Sequence, residues 1–226
     1  MLPQFRDRAD AGRRLAAELT SYAGQPGVLV LALPRGGVPV GFEVALALNA
    51  PLDVFLVRKL GVPGHQELAM GAIASGGIYV LNADVVDSLR IPSQAIDAVA
   101  EAEQRELERR AQVYRDGRPP ADVRGRTVIL VDDGLATGST MRAAAVALRS
   151  QAPARIVVAV PTAAREICDQ FSTLVDETVC ATTPEPFYAV GLWYEDFSQT
   201  TDAEVRGLLE RARHRWPEQA RARSEP

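Results

Sequence analysis

Short runs of apolar residues alternate with amphipathic stretches along most of this chain. The apolar runs have the length of buried strands and fall at 28–33, 53–57, 127–131, 155–160 and 178–181. Apolar residues recur at helical spacing in the segments between them, at 10–22, from the first run through Leu48, at 139–149 and from Ala163. This alternation predicts an α/β fold in which a mostly parallel sheet is flanked by helices.

Three segments add to this plan. Residues 68–81 predict two short strands around a turn at Ser75-Gly76-Gly77. Residues 93–114 predict a long, charged helix that Ser93 can cap, and its length beyond the simple alternation indicates an insertion. The last helix begins at a capping-box pattern, Thr201-Asp-Ala-Glu204.

Length and composition favour one globular domain. The chain has 226 residues, of which 47% are hydrophobic and 24% charged, as in ordinary globular proteins. We therefore expect a single domain over residues 1–216 and a disordered tail at 217–226. The net charge of -4 gives no reason to expect a nucleic-acid partner and favours a small polar ligand.

The chain shows no targeting or disulfide signal. Its first residues lack the apolar core of a secretory signal, and no stretch approaches the roughly 18 apolar residues of a membrane helix. We therefore expect a cytoplasmic protein with no membrane partner. The spacing of Cys168 and Cys180 matches neither a zinc site nor a thioredoxin-like pair, so we interpret both as reduced, mostly buried thiols.

The strongest chemical signal is the segment 128–141, where a buried strand runs into two acids and a small, hydroxyl-rich turn that opens a helix. Backbone N–H groups at such a helix start can converge on a phosphate, and glycine permits its close approach. The residues of this turn are Ala136, Thr137, Gly138, Ser139 and Thr140. Asp132 and Asp133 could accept hydrogen bonds from two ribose hydroxyls at the carboxyl end of the strand. The alternative is a plain strand-turn-helix connection with two solvated acids.

At these residues the chain resembles the type I phosphoribosyltransferases, whose signature is a hydrophobic strand, two acids and a Thr-Gly-x-Thr loop. The resemblance implies that 136–140 hold the 5-phosphate of 5-phosphoribosyl-1-pyrophosphate (PRPP). It also implies that Asp132 and Asp133 hold the ribose hydroxyls and help to organise Mg²⁺. A Walker-type nucleotide site is disfavoured, because this turn carries no lysine.

A second signal is Leu33-Pro-Arg-Gly-Gly37, which follows the first buried strand. Gly36 and Gly37 let backbone amides face an anion, and Arg35 adds a positive charge, which suits pyrophosphate. In the resembled family this turn is the pyrophosphate loop, often with a cis peptide, which we place at Arg35-Gly36. Arg58 and Lys59 follow the second strand, and Lys59 is our preferred further pyrophosphate ligand. The alternatives are a tight turn and a solvated basic pair.

The segment 61–70 combines two glycines and a proline with polar side chains, which is typical of a mobile lid. It lies where the resembled family carries its flexible catalytic loop. Glu67 or His65 could serve there as a general acid or base, and a surface loop with both side chains in solvent is the alternative.

The acceptor is the part of the reaction that the sequence does not identify. Ala136 stands where 6-oxopurine phosphoribosyltransferases carry an aspartate, which puts guanine and hypoxanthine in doubt. The aromatic segment 186–197 follows the last core strand, at the position where some family members carry a segment called the hood. There Phe187, Tyr188 or Trp193 could stack on a base. Glu195 and Asp196 could accept hydrogen bonds from N–H groups of its ring. Simple packing under the last helix is the alternative.

The long helix and the overall resemblance complete the sequence-based picture. The apolar residues of the long helix are Ile96, Val99, Leu107 and Tyr114. They predict that the helix docks on the domain or on a partner, so a homodimer is one expectation. Over residues 5–210 the chain is most similar to uncharacterised predicted phosphoribosyltransferases. We therefore expect an enzyme that transfers phosphoribose from PRPP to an unidentified acceptor, with a nucleobase as one candidate. The alternative is a non-catalytic sensor of PRPP or of a nucleotide.

Overall fold

The computed structural model describes residues 4–74 and 78–216. Its helices are α1 (Arg8–Glu18), α2 (Gly37–Leu48), α3 (Ala83–Ser88), α4 (Ser93–Arg115), α5 (Ser139–Arg149), α6 (Arg165–Phe171) and α7 (Asp202–Arg215). Its strands are β1 (Val28–Ala32), β2 (Leu52–Val54), β3 (Val57–Val62), β4 (His65–Ala74), β5 (Ile78–Leu81), β6 (Thr127–Val131), β7 (Arg155–Thr162) and β8 (Glu177–Thr182). Short 3₁₀ helices lie at Thr20–Tyr22 and Val190–Trp193.

The core is a parallel five-stranded sheet in the order β2-β1-β6-β7-β8, which confirms the predicted α/β architecture. Alternate residues of β1 enter two separate hydrophobic clusters, one on each face of the sheet, as a strand buried on both sides requires. The chain passes from β1 to β2 on one side and later adds β6 on the other. This reversal opens a crevice at the carboxyl ends of β1 and β6.

The predicted lid segment has a different local structure from the irregular loop that we expected. It forms the end of an antiparallel hairpin, in which β3 and β4 are joined at Pro63 and Gly64. Gly64 has a φ of 79°, which allows the chain to reverse within two residues. Strand β5 completes this second, three-stranded sheet. The turn predicted at Ser75-Gly76-Gly77 lies outside the described residues.

Helix α4 confirms the long helix predicted at 93–114 and packs on the domain. Ile96, Leu107 and Tyr114 are buried in the larger hydrophobic cluster, and Val99 is partly buried against it. The predicted cap at Ser93 is wrong. Ser93 is already helical, Pro92 occupies the preceding cap position, and no side-chain hydrogen bond caps this end.

The last helix begins as its sequence pattern predicts. The Thr201 hydroxyl accepts a hydrogen bond from the Glu204 N–H, and the Glu204 carboxylate accepts one from the Thr201 N–H. The tail predicted at 217–226 lies outside the described residues. None of the described helices is both long and apolar enough to cross a membrane.

The two cysteines that we predicted as separate thiols lie beside each other. The Cα atoms of Cys168 on α6 and Cys180 on β8 are 6.6 Å apart, which is within the range that a disulfide spans. Helix α6 and strand β8 pack against each other. Both cysteines are partly buried beside the smaller hydrophobic cluster. Sequence spacing does not reveal this contact, because it depends on how α6 packs beside β8.

Candidate active site

Two loops meet at the carboxyl ends of β1 and β6. Ala32 pairs with Val131 at the end of the two parallel strands, so the segments 33–37 and 132–140 leave the sheet side by side. The Leu33 N–H donates a hydrogen bond to the Val131 carbonyl, which continues the pairing by one step beyond the strands. The sheet therefore brings together two motifs that lie almost 100 residues apart in the sequence.

The glycines of the first loop allow it to pack directly on the acidic pair. A Cβ atom at Gly36 would overlap the Asp133 carboxylate, and one at Gly37 would lie 2.7 Å from the Val131 carbonyl oxygen and 2.9 Å from the Asp132 Cα. Both distances are shorter than a side chain tolerates. The absence of side chains at Gly36 and Gly37 thus allows the first loop to contact Asp132 and Asp133.

The cis peptide of this loop lies one residue earlier than predicted, at Pro34-Arg35 and not at Arg35-Gly36. Gly36 already has helical angles of -60° and -33°, and the Val38 N–H donates to the Arg35 carbonyl. Helical geometry therefore begins at the position where we expected the irregular peptide.

The two acids at the end of β6 are held in a low-polarity environment. Burial raises the pKa of Asp132 well above its usual range, and the negative charge of Asp133 raises it further. Burial also raises the pKa of Asp133, while the guanidinium of Arg8 opposes that rise. Two neighbouring carboxylates in such a site favour a bound partner that supplies positive charge or hydroxyl donors.

Arg8 is a site residue that the sequence analysis missed. Its Nε donates to the Asp133 Oδ2 at 2.8 Å, and one of its terminal nitrogens donates to the Ser198 carbonyl at 2.7 Å. The guanidinium also lies 4.0 Å from the centre of the Phe197 ring. No local signal could have found it, since 125 residues separate Arg8 from its acidic partner.

The aromatic segment after β8 covers the same acids. The Tyr194 hydroxyl donates to the Asp133 backbone carbonyl at 2.5 Å, and the Tyr194 ring packs on Phe5 and Phe197. Gly134 lies so close to Val190 that a Cβ there would approach a valine methyl to 2.5 Å. The hood predicted from the sequence is therefore in contact with the acidic motif.

The predicted phosphate loop lies at the start of α5. Gly138 has a φ of 68° and lies against Phe171, where a Cβ would come within 2.8 Å of the ring. Within the described parts of the chain, the N–H groups of Ala136, Thr137 and Gly138 form no hydrogen bond with the protein. Ala136, Thr137, Ser139 and Thr140 are exposed, so this helix start can donate to an anion from solvent.

A small cavity of about 20 Å³ lies between the two loops, β3 and α4. Pro34, Arg58 and Thr140 are among its lining residues, and Lys59 is not. Successive residues of a strand face opposite sides. Arg58 therefore lies beside the loops, and the role of our preferred Lys59 in binding pyrophosphate stays a prediction.

The two arginines near the loops are each partnered by a carboxylate. Arg58 forms an ion pair of 2.6 Å with Glu103 of α4. Arg35 lies 3.8 Å from Asp202 at the start of α7, with 38% of its side chain exposed. Both pairs are accessible to water, so an incoming anion can compete for either arginine.

The proposed acid or base residues lie in the β3–β4 hairpin. His65 is exposed at the start of β4. Glu67 belongs to the same strand, and its side chain lies outside the described residues. The hairpin therefore places both positions on one strand, and their role stays a prediction.

The candidate base-stacking residues differ in exposure. The rings of Phe187 and Trp193 stack with their centres 6.2 Å apart. Trp193 is buried, Phe187 is partly buried, and Tyr188 is 76% exposed. Trp193 thus packs against the ring of Phe187, and Phe187 is the member of the pair that keeps part of its surface exposed. Glu195 and Asp196 are exposed beside them.

The acidic pair suits magnesium only together with a ligand. Among the described residues, no group of three or more His, Cys, Asp or Glu side chains could hold a metal ion. Magnesium commonly binds one or two carboxylates together with oxygens of a phosphorylated substrate. Asp132 and Asp133 are the two carboxylates that could take part in such an arrangement.

Comparisons with known proteins agree with this geometry. A family model described as the phosphoribosyl transferase domain matches residues 2–170. A protein of Mycobacterium tuberculosis with the provisional name of a phosphoribosyl transferase is 50% identical over 208 residues, which cover 92% of this chain and 47% of the relative. The chain thus spans about half the length of that relative.

Two further similarities extend the comparison. The crystal structure of TT1426 from Thermus thermophilus matches with a TM-score of 0.82 and 43% identity, and the match covers 91% of this chain and 97% of that one. The bifunctional protein PyrR of Chloroflexus aurantiacus is 38% identical over 129 residues, or 56% of this chain and 65% of the relative.

Proposed function

The chain belongs to the phosphoribosyl transferase domain family, and from this premise we propose that it transfers the phosphoribosyl group of PRPP to an acceptor and releases pyrophosphate. The observation that carries the proposal is the contact between the Gly36-Gly37 turn and the acidic pair at the switch point of the sheet. The contact supports a crevice lined by two loops and two carboxylates, in which we place the two anionic ends of PRPP.

The phosphate end of PRPP fits the start of α5. The N–H groups at 136–138 and the hydroxyls of Thr137 and Thr140 can donate to the 5-phosphate, and the positive end of the helix dipole favours its charge. The acids Asp132 and Asp133, which immediately precede this loop, are then positioned to accept hydrogen bonds from the ribose hydroxyls.

The pyrophosphate end fits the first loop. In the reaction the bond between C1 and the pyrophosphate oxygen breaks, and the electron pair leaves with pyrophosphate. The N–H group of Gly36 and the charges of Arg35 and Arg58 favour that growing negative charge. The Gly37 N–H already donates to the Leu33 carbonyl. Asp132 and Asp133 lie next to this loop, where we place the ribose, and their carboxylates favour the positive charge that develops there.

Magnesium fits this proposal as an ion that binds together with PRPP. When bound, the ion would neutralise part of the pyrophosphate charge. Asp132 and Asp133 would hold the ion through their carboxylates. Burial disfavours the charged forms of these carboxylates, and a divalent cation would favour them.

The acceptor forms the new bond to C1 and gives up one proton. Phe187, supported by Trp193, offers a ring face for a flat acceptor such as a nucleobase. His65 and Glu67 of the hairpin are the candidate groups for the proton. Ala136 leaves the site without the aspartate of the 6-oxopurine enzymes, so our proposal does not extend to guanine or hypoxanthine.

The test combines binding with turnover. We expect PRPP and Mg²⁺ together to raise the melting temperature more than PRPP alone, because a ligand that binds only the folded state stabilises it. Titration calorimetry and a pyrophosphate-release assay would then be run across purines, pyrimidines and non-base amines, with Asp133→Asn beside the wild type. We expect Asp133→Asn to lower turnover more than it weakens PRPP binding.

Two results would contradict the proposal in different ways. If Mg²⁺ and PRPP leave the melting temperature unchanged, the assignment of the binding site is wrong. If PRPP binds tightly and no acceptor releases pyrophosphate, the chain is a PRPP-binding protein without transfer activity, which is the sensor alternative.

A further inference from the structure

A larger pocket lies on the other side of the molecule from the two loops. It encloses about 210 Å³ between the start of β2 and the C-terminal ends of α4 and α7. Its lining includes Pro51 and Leu52 at the amino end of β2, whereas the candidate active site lies at the carboxyl ends of strands parallel to β2. The two sites share no lining residue.

Most of the pocket wall is apolar. Tyr114, Pro119, Pro120, Leu209 and Trp216 form much of it. The Trp216 indole N–H donates to the Asn49 side chain at 3.3 Å, and the Arg215 guanidinium lies 5.7 Å from the centre of the ring. Apolar walls that include an indole, a phenol ring and two prolines favour a planar, aromatic ligand.

The polar part of the pocket is positively charged. Arg118 and Arg213 both line it, and neither forms an ion pair with a described residue. Each arginine donates its Nε to a main-chain carbonyl, Arg118 to that of Arg115 at 2.7 Å and Arg213 to that of Leu209 at 3.3 Å. These bonds leave the terminal nitrogens of both guanidinium groups without a described partner.

The acids of the pocket already have other partners. Asp53 accepts hydrogen bonds from Arg115 and from the N–H groups of Val54 and Ala121. Asp122 accepts one from the Arg124 N–H at 3.1 Å. Burial lowers the pKa of Arg118, and the neighbouring charge of Arg213 lowers it further, so a bound anion would relieve two like charges at once.

We infer that this pocket binds a small, planar aromatic acid, with its ring against Trp216 and the proline pair and its anionic group on Arg118 and Arg213. A volume of about 210 Å³ is below that of most drug-sized sites, which favours one fused ring system with a single anionic group over a whole nucleotide. The pocket shares no lining residue with the cavity beside the two loops.

The two tryptophans of the chain allow a direct test by NMR. Trp216 lines the pocket and Trp193 is buried in the hood, so a ¹⁵N-labelled sample has one indole signal for each region. The probes are 2-naphthoate and its uncharged isostere 2-naphthamide. We expect 2-naphthoate to shift the Trp216 signal saturably, to leave Trp193 unchanged and to bind at least tenfold more tightly than the amide.

Variants of the two arginines complete the test. Arg118→Gln combined with Arg213→Gln is expected to remove the preference for the acid while the amide still binds. Arg206→Gln, on α7 outside the pocket lining, is the matched control and should behave as the wild type. The inference is overturned if 2-naphthoate gives no saturable shift of Trp216, if it binds no better than the amide, or if Trp193 alone responds. Addition of Mg²⁺ and PRPP tests the other site separately and does not affect this outcome.

Discussion

Gly36 shows how a single residue connects the two loops of the candidate site. Its lack of a side chain lets the first loop approach the Asp133 carboxylate to within contact distance. A methyl group there must displace either the loop or the carboxylate, and both belong to the site that we assign to PRPP. The constraint is therefore one of space, since Gly36 itself has ordinary helical angles.

We predict that Gly36→Ala destabilises the fold by about 1–3 kcal/mol, the usual cost of an overpacked contact. It should also weaken binding of PRPP with Mg²⁺ by more than tenfold, because the two loops can no longer meet. Denaturant unfolding and titration calorimetry measure the two effects. Gly207→Ala is the control, since nothing lies within 4 Å of a Cβ there, and it should leave PRPP affinity unchanged.

The neighbouring residues Arg58 and Lys59 offer a second comparison at this scale. They are adjacent on β3, but only Arg58 lines the cavity beside Pro34 and Thr140. Arg58 is held there by Glu103, whose partly exposed ion pair contributes little to stability.

We predict that Arg58→Gln weakens binding of pyrophosphate by about tenfold, the effect of losing one charge-assisted hydrogen bond. Lys59→Gln should change it less than threefold. Calorimetric titration of each variant with magnesium pyrophosphate measures the difference. A larger loss in Lys59→Gln would restore the residue that the sequence analysis preferred.

At the scale of elements, the start of α5 combines two separate requirements. Gly138 must adopt a positive φ and must also fit against Phe171, so its substitution would disturb the fold as well as the loop. Thr137 and Thr140 are exposed, and their hydroxyls can be removed without opening the core. The hydroxyls therefore provide the cleaner test of phosphate binding.

We predict that Thr137→Ala combined with Thr140→Ala weakens PRPP binding by roughly ten- to hundredfold, at about 1 kcal/mol for each lost hydrogen bond. The melting temperature without ligand should barely change. A thermal-shift series with PRPP and Mg²⁺ measures both quantities. Thr173→Ala, an exposed threonine beyond α6, is the matched control, and an equal effect there would contradict the phosphate-loop assignment.

At the scale of the whole molecule, α4 is part of the core and not an appended arm. Its residues Ile96, Leu107 and Tyr114 enter the larger hydrophobic cluster. The Tyr114 hydroxyl donates to Asp202 at 2.6 Å, and Asp202 in turn lies 3.8 Å from Arg35. The helix thus supports the first loop of the site through α7.

We predict that Leu107→Ala lowers the free energy of unfolding by about 2–5 kcal/mol, as for other buried leucines cut back to alanine. Chemical denaturation monitored by circular dichroism measures this loss. Leu89→Ala, at a leucine that is 49% exposed, should change stability by less than about 0.5 kcal/mol. A similarly small effect at Leu107 would show that α4 is only loosely attached.

The sequence by itself determined the elements and the chemistry carried by neighbouring residues. The parallel core strands, the long helix and the capping box at Thr201 follow from periodicity and local hydrogen bonding, which act over a few residues. The acids and the turn at 132–140 were recognisable for the same reason, because their order along the chain already describes an anion loop after a strand.

Only the tertiary structure decided which distant groups meet. Arg8 reaches Asp133, the hood reaches its carbonyl through Tyr194, and Cys168 reaches Cys180. The position of Arg58 beside the cavity likewise depends on which face of β3 turns toward the loops. These contacts arise from the packing of separate elements, and packing depends on shape and burial across the whole fold, which no short segment of sequence encodes.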